Sequence, residues 1–276
     1  MSIGVAILSW KAPNTLKNTI KTYNNVDFFS LFDQKIICFQ EISEFDKKVA
    51  EEQMLDYIGT EKNTGIQGGF KRAFEELNTN YILILENDCI IIENKESVRE
   101  QIKKAVNLIE SNDADLVRLR SRFNPGVGGE RSVQQYTKYH ELIKADPRFN
   151  LIRHVNNSNP ILKLTLRLLR PDKSVRCAGR SVYIEQNPHL IFPRIITKKG
   201  DSFIVDSRAL PWTNQPTLIK RELFGKILSY AETHPSNRKV NGFQDLERPL
   251  NGSWWRNSNF RIGIIDGFFS HKRLDR

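Results

Sequence analysis

Apolar residues fall into short runs along this chain, and the runs alternate between two periods. "IGVAILSW" (3–10) is a nearly continuous apolar run of strand length, the pattern of a strand covered on both faces. Pro13 and Asn14 then open a stretch in which Leu16, Ile20 and Tyr23 recur at helical spacing, because residues three and four apart share a helix face. "KIICFQ" (35–40) predicts a second strand, and "DKKVAEEQMLDYI" (46–58) a helix with a strand at its end. "NTGIQGGFKRAFEEL" (63–77) predicts a glycine-bearing turn running into a helix. "YILILE" (81–86) is the strongest strand, followed by an amphipathic helix (98–112) and another strand (114–121). This alternation predicts an α/β fold with a mixed, mainly parallel central sheet flanked by helices.

The second half is less regular. A glycine-rich loop occupies 124–132, a hairpin is predicted over 192–205 with its turn near Gly200, and a strand end and helix over 217–232. There is no internal repeat and no low-complexity linker, so 1–276 reads as one domain with two halves, 1–120 and 121–276.

Composition narrows the class. Hydrophobic residues are 39% and charged residues 27% of the 276, which is globular. No stretch approaches the roughly 18 apolar residues of a membrane span, and the first residues lack the basic start of a signal peptide. The expected location is the cytoplasm. Cys38, Cys89 and Cys177 are widely spaced and fit neither a zinc pattern nor a disulfide framework. They read as reduced thiols, so the sequons at Asn156 and Asn251 carry no weight.

Charge is uneven. Residues 1–110 hold 13 Lys and Arg against 17 Asp and Glu, while 111–276 hold 29 against 15. The later half therefore expects an anionic partner: phosphate, nucleic acid or membrane surface. The basic, leucine-bearing segment 161–180 fits peripheral contact with an anionic membrane or an ordinary solvated helix face.

In open α/β sheets, ligands bind beyond the carboxyl ends of the strands. Ser9, Glu41 and the triplet Glu86-Asn87-Asp88 fall at such ends. Two carboxylates one residue apart at an exposed strand end can face a divalent cation, Mg²⁺ or Mn²⁺. The triplet alone fits a polar strand end beside a helix cap equally well. Gly65, Gly68 and Gly69 would let backbone approach a ligand closely before a helix, or form an ordinary turn. The stretch lacks the G-K-[ST] ending of a Walker A loop.

Taken in order, "VAILSWKAPNTLKNTI", "NTGIQGGFKRAF" and "YILILENDC" resemble nucleotide-sugar-dependent glycosyltransferases of the GT-A fold, most closely the inverting family two. Asn63, Gly65 and Gly68 match that family's N-x-G-x-x-G turn, with Lys71 or Arg72 near its final Asn. Glu86-Asn87-Asp88 matches its D-x-D motif with Glu for the first Asp. The match covers residues 1–120.

The resemblance implies that Asp88 holds a Mn²⁺ or Mg²⁺ ion bridging the diphosphate of a nucleoside diphosphate sugar, UDP-sugars favoured. Glu86 would bind the ribose or a water on the metal. Ser9, Glu41, Asn63, Gly65, Lys71, Glu86 and Asn87 would form the nucleotide-sugar site. "GFQDLERPL" (242–250) resembles the family's E-D-x-D-L-x-x-R region, making Asp245 the first candidate for the catalytic base and Glu247 the second. His271 matches a late histidine that some members use as a metal ligand, with Lys272 or Arg273 able to meet the diphosphate. Trp212, Trp254 and Trp255 are candidates to stack on an acceptor sugar or to pack in the core. The implied reaction is sugar transfer to a hydroxyl of a glycan or lipid-linked acceptor, with inversion. A retaining transferase of the same fold is the alternative. A basic nucleic-acid-binding protein is the rival from another class, but zinc, basic-heptad and RNA-recognition motifs are all missing, so no nucleic acid partner is expected.

Overall fold

The structure is a computed structural model that describes residues 2–126 and 171–275. Its strands are β1 (Ile3–Trp10), β2 (Gln34–Gln40), β3 (Asp56–Thr60), β4 (Tyr81–Glu86), β5 (Cys89–Ile91), β6 (Leu116–Arg120), β7 (Ile196–Lys199), β8 (Ser202–Asp206), β9 (Thr217–Lys220) and β10 (Arg261–His271). All belong to one sheet ordered β3-β2-β1-β4-β9-β6-β10-β8-β7, with β5 paired to β10. The β3-β2-β1-β4 side is parallel throughout. Strand β9 enters between β4 and β6 and runs antiparallel to both.

Side-chain alternation divides the core between the two faces of the sheet. Ile3, Val5 and Ile7 of β1 face one side, packing with Leu16, Ile20 and Tyr23 of α1 (Pro13–Asn25) and with Val98, Ile102 and Ala105 of α4 (Lys95–Glu110). Ala6 and Leu8 face the other side. They join Phe70 and Ala73 of α3 (Gly65–Glu76) and Phe224, Ile227 and Leu228 of a later helix (Arg221–Thr233). Fully burying one such large side chain contributes roughly 1.5–3 kcal/mol, so these two clusters fix the sheet and, with it, the strand ends.

Local signals set the helix starts. Ser43 and Asp46 form a reciprocal capping box before α2 (Glu44–Glu52), and Asn94 accepts from the Ser97 N–H at 2.9 Å before α4. Helix α1 starts with Pro13 after Ala12, which has no side chain to cap with. Its cap comes from the far end of the chain. Asp275 accepts from the Thr15 N–H at 2.7 Å and from Asn14 Nδ2 at 2.8 Å. That places the last residues across the carboxyl edge of the sheet.

The hairpin predicted near Gly200 is β7–β8, and Gly200 has the positive φ its turn needs. Residues 46–58 divide into the end of α2 and strand β3. The loop predicted over 124–132 from residue 127 on, and residues 161–170 of the basic segment, lie outside the described residues. Among those described, no helix is long and apolar enough to cross a membrane.

Candidate active site

A cleft of about 400 Å³ opens at the carboxyl ends of β1, β2 and β4. Trp10, Lys11 and Gln40 form one wall, and Asn63, Gly65 and Ile66 the next. Glu86 and Asn87 form the floor, the segment 240–245 faces them, and Arg273 and Asp275 close the side.

The turn before α3 is held from beneath. Gln40 Oε1, at the end of β2, accepts from the Thr64 N–H at 2.7 Å and from Thr64 Oγ1 at 2.9 Å. Asn63 Oδ1 accepts from the Gly65 N–H at 2.7 Å. Gly65 has φ +75°, and a Cβ there would meet Phe243 Cβ at 2.6 Å and Gln244 O at 2.7 Å. Gly65 is therefore required by a close approach between the turn and the 243–244 segment. A Cβ on Gly68 would strike Thr64, and one on Gly69 would strike Leu8 and Gln40. Gly69 lets the helix lie close on the sheet, and Gly68 leaves room for the Thr64 side chain of its own turn.

The triplet at the end of β4 is more buried than an exposed strand end. Asp88 is only 4% exposed. Asn87 donates Nδ2 to Ser9 Oγ at 3.1 Å, and its carbonyl accepts from Thr19 Oγ1 at 2.7 Å. Ser9 is buried and orients Asn87 from behind. Glu86 shares its face of β4 with Ile82 and Ile84 and lines the cleft. Burial first, then the neighbouring carboxylates Asp88, Glu247 and Asp245, push its carboxyl up to about 8 against the pull of Arg273. Four acids from two distant segments thus share one electrostatic environment.

Asp245 and Glu247 are both held by Asn214. Its Nδ2 donates to Asp245 Oδ1 at 2.9 Å, and its backbone N–H donates to Glu247 Oε1 at 3.1 Å. Trp212 Nε1 donates to Asn214 Oδ1 at 3.2 Å, which fixes the amide's orientation. Asp245 lines the cleft. Glu247 sits behind it, its pKa raised chiefly by burial and then by Asp245, against the Asn214 N–H.

Asp88 faces the chain's last strand. Arg273 donates Nη2 at 2.6 Å and Nε at 3.1 Å to Asp88 Oδ2. His271 Nε2 lies 4.0 Å from Asp88 Oδ1 and is buried, with no hydrogen-bond partner among the described residues. Burial, Arg120 and Arg273 outweigh Asp88 and push this imidazole down to about 4. It is therefore neutral at physiological pH, the form that ligates metals.

Among the described residues, Asp88, Cys89 and His271 form the one group whose ligating atoms lie close enough to hold a metal. The orphaned Nε2 beside a carboxylate oxygen fits a cation such as Mn²⁺ or Mg²⁺. Burial, then Asp88 and Glu86, push the Cys89 thiol up. It stays protonated, and a hard cation has no need of it.

Several expected site residues stand elsewhere. Lys71 projects from α3 to pair with Glu232 at the surface and does not line the cleft. Trp212 is 1% exposed and Trp255 0%, so neither has a face for an acceptor sugar. Trp255 Nε1 is spent on the Leu210 carbonyl at 2.8 Å. Trp254 stacks on Tyr230 at 4.2 Å and does not line the cleft. The bulk of all three indoles serves packing. Glu41 has φ +53° and pairs with Lys11 and with Trp10 Nε1 beside the cleft wall. Sequence reasoning missed Trp10, Gln40, Asn214 and Phe243. Trp10 and Gln40 carried a signal, since each is the last residue of its strand.

No protein-family model matches the chain, and no curated protein matches it in sequence. Solved structures do match. S. aureus TarS, residues 1–349, aligns over 99% of this chain and 60% of its own, at 12% identity and TM-score 0.51. A mycobacterial protein aligns over 99% and 68%, at 13% and 0.51. Glucosyl-3-phosphoglycerate synthase from Mycobacterium tuberculosis, in complex with phosphoglyceric acid, aligns over 99% and 72%, at 12% and 0.50. The chain thus spans about 60% of the length of the TarS fragment. At such identities the likeness speaks for the backbone alone, and that backbone, a mixed and mainly parallel sheet flanked by helices, is the GT-A fold.

Proposed function

We propose that this chain is a metal-dependent glycosyltransferase. It moves a sugar from a nucleoside diphosphate donor, UDP-sugars favoured, to a hydroxyl of a glycan or lipid-linked acceptor, with inversion. One observation carries the reading: Glu86 and Asp245, from distant segments, line one cleft together with Arg273, which donates to Asp88, and the unpartnered Nε2 of His271 lies 4.0 Å from that same Asp88. The fold it shares with an enzyme named for making glucosyl-3-phosphoglycerate is in keeping with it.

Asp88 and His271 would hold Mn²⁺ or Mg²⁺. When bound, the cation supplies Lewis-acid neutralisation of the charge on the departing diphosphate. Trp10, Glu41 and Asn63 take the base and ribose, and Glu86 the ribose side of the donor. Asp245 takes the proton of the acceptor hydroxyl. Its Oδ1 is tied to Asn214, so Oδ2 is the atom that receives the proton. Glu247 is less suited, because it is committed to the Asn214 N–H and does not line the cleft. In this reading residues 1–276 act as one domain, 1–120 for the nucleotide and 121–276 for the acceptor. The passage of β9 between β4 and β6 supports it.

The test is Asp245→Asn. Donor binding with Mn²⁺ should persist, while transfer falls by about 10²–10⁴. The anomeric configuration of the product, read by NMR, tests inversion. Normal turnover by Asp245→Asn would remove this residue as the base.

A further inference from the structure

The carboxylate that would hold a metal is already engaged. Arg273 directs two N–H groups onto one oxygen of Asp88, at 2.6 and 3.1 Å. The other oxygen faces His271 Nε2 at 4.0 Å. A cation seated between Asp88 and His271 would stand beside the Arg273 guanidinium and be repelled by it. Without a cation, that guanidinium is what compensates a carboxylate 4% exposed.

The backbone around Arg273 is pinned on both sides. The Lys272 N–H donates to the Asp88 carbonyl at 2.9 Å, and the Leu274 N–H to Thr15 Oγ1 at 2.9 Å. Only the side chain is free to turn. It is 38% exposed and lines the cleft, so it can reach an anion there without moving the strand. A guanidinium offers planar, paired donors that match phosphate oxygens as well as carboxylate.

We propose that Arg273 is an exchangeable counter-ion: it occupies Asp88 until a diphosphate draws it away, so cation and diphosphate bind cooperatively. The proposal rests on the donor-site reading above. Each ligand relieves a cost of binding the other, because the anion removes the competing charge and the cation releases the arginine.

The experiment uses the full chain and two probes kept apart. Mn²⁺ alone is titrated and followed by electron paramagnetic resonance of the free ion. Inorganic pyrophosphate alone is titrated by calorimetry in chelator. Arg273→Gln is expected to bind Mn²⁺ more tightly than wild type, by about 5- to 150-fold, and pyrophosphate more weakly. Opposite shifts cannot come from a damaged fold, which would weaken both. Arg273→Lys, with the charge but not the fork, should fall between. Equal or weaker Mn²⁺ binding by Arg273→Gln overturns the counter-ion role and leaves the metal site standing. Failure of wild type and variant alike to bind Mn²⁺ overturns both.

Discussion

Asn214 holds Asp245 by a 2.9 Å hydrogen bond from its side-chain amide, although the two lie 31 residues apart. The same residue's N–H holds Glu247, and Trp212 holds the amide from the core side. The buried indole thus decides which way a cleft carboxylate points. Asn214→Ala should leave Asp245 Oδ1 buried without a donor, at about 1–3 kcal/mol. It should lower transfer by up to about 10²-fold through misplacement, with donor affinity unchanged. Transfer rate, donor affinity and urea midpoint, measured together, check this.

Gly65 and Gly242 both have positive φ, but only Gly65 has atoms against its Cβ position. Gly65→Ala adds a clash with Phe243 and Gln244 to the backbone strain, so it should destabilise by more than about 1 kcal/mol. Gly242→Ala should cost less, since nothing described lies within 4 Å of the added methyl. Thermal midpoints of the two variants give the comparison. Equal losses would mean that contact with 243–244 does not matter.

Asp275 makes stability depend on pH. Burial pushes its carboxyl up, but hydrogen bonds from Thr15 and Asn14 outweigh this and hold it below the ordinary carboxylate range. A depressed carboxyl contributes stability above its unfolded pKa and loses it as pH falls through the folded value. Asp275→Asn should therefore destabilise at neutral pH, toward the low end of the roughly 0.5–2 kcal/mol of a helix cap. The difference from wild type should shrink as pH falls below the ordinary carboxylate range. Denaturant midpoints at pH 7 and pH 3 measure it.

Strands β1 and β4 were legible because each is covered on both faces, so its apolar run is nearly unbroken. Strand β10 was not. Its run is cut by Asp266 and Gly267, where the register against β6 shifts and Gly267 takes φ +74°. A bulge breaks the period that identifies a strand. Glu86 and Asp88 were visible because carboxylates at a strand end are conspicuous, whereas Asp245 and Glu247 came only from the resemblance of 242–250 to a family motif. Asn214 lies in a loop without periodicity, and its hold on Asp245 exists only once the chain has folded. The tryptophans misled because a large indole fills a core as readily as it stacks on a sugar. Trp212 and Trp255 each found a partner for Nε1 inside. Asp88 read as an exposed strand-end residue because the strap that buries it comes from residues 271–275.

The central claim is a metal-dependent sugar-nucleotide site at Asp88. A panel of nucleoside diphosphate sugars, UDP-sugars first, should be titrated calorimetrically into the full chain, with Mn²⁺ and then with chelator. Asp88→Asn keeps the shape that Arg273 and the tail pack against, and is the matched control. The expected result is saturable binding of at least one donor with Mn²⁺, lost in chelator and in Asp88→Asn. Failure of every donor to bind wild type with Mn²⁺, or binding indifferent to chelator and to Asp88→Asn, would contradict it.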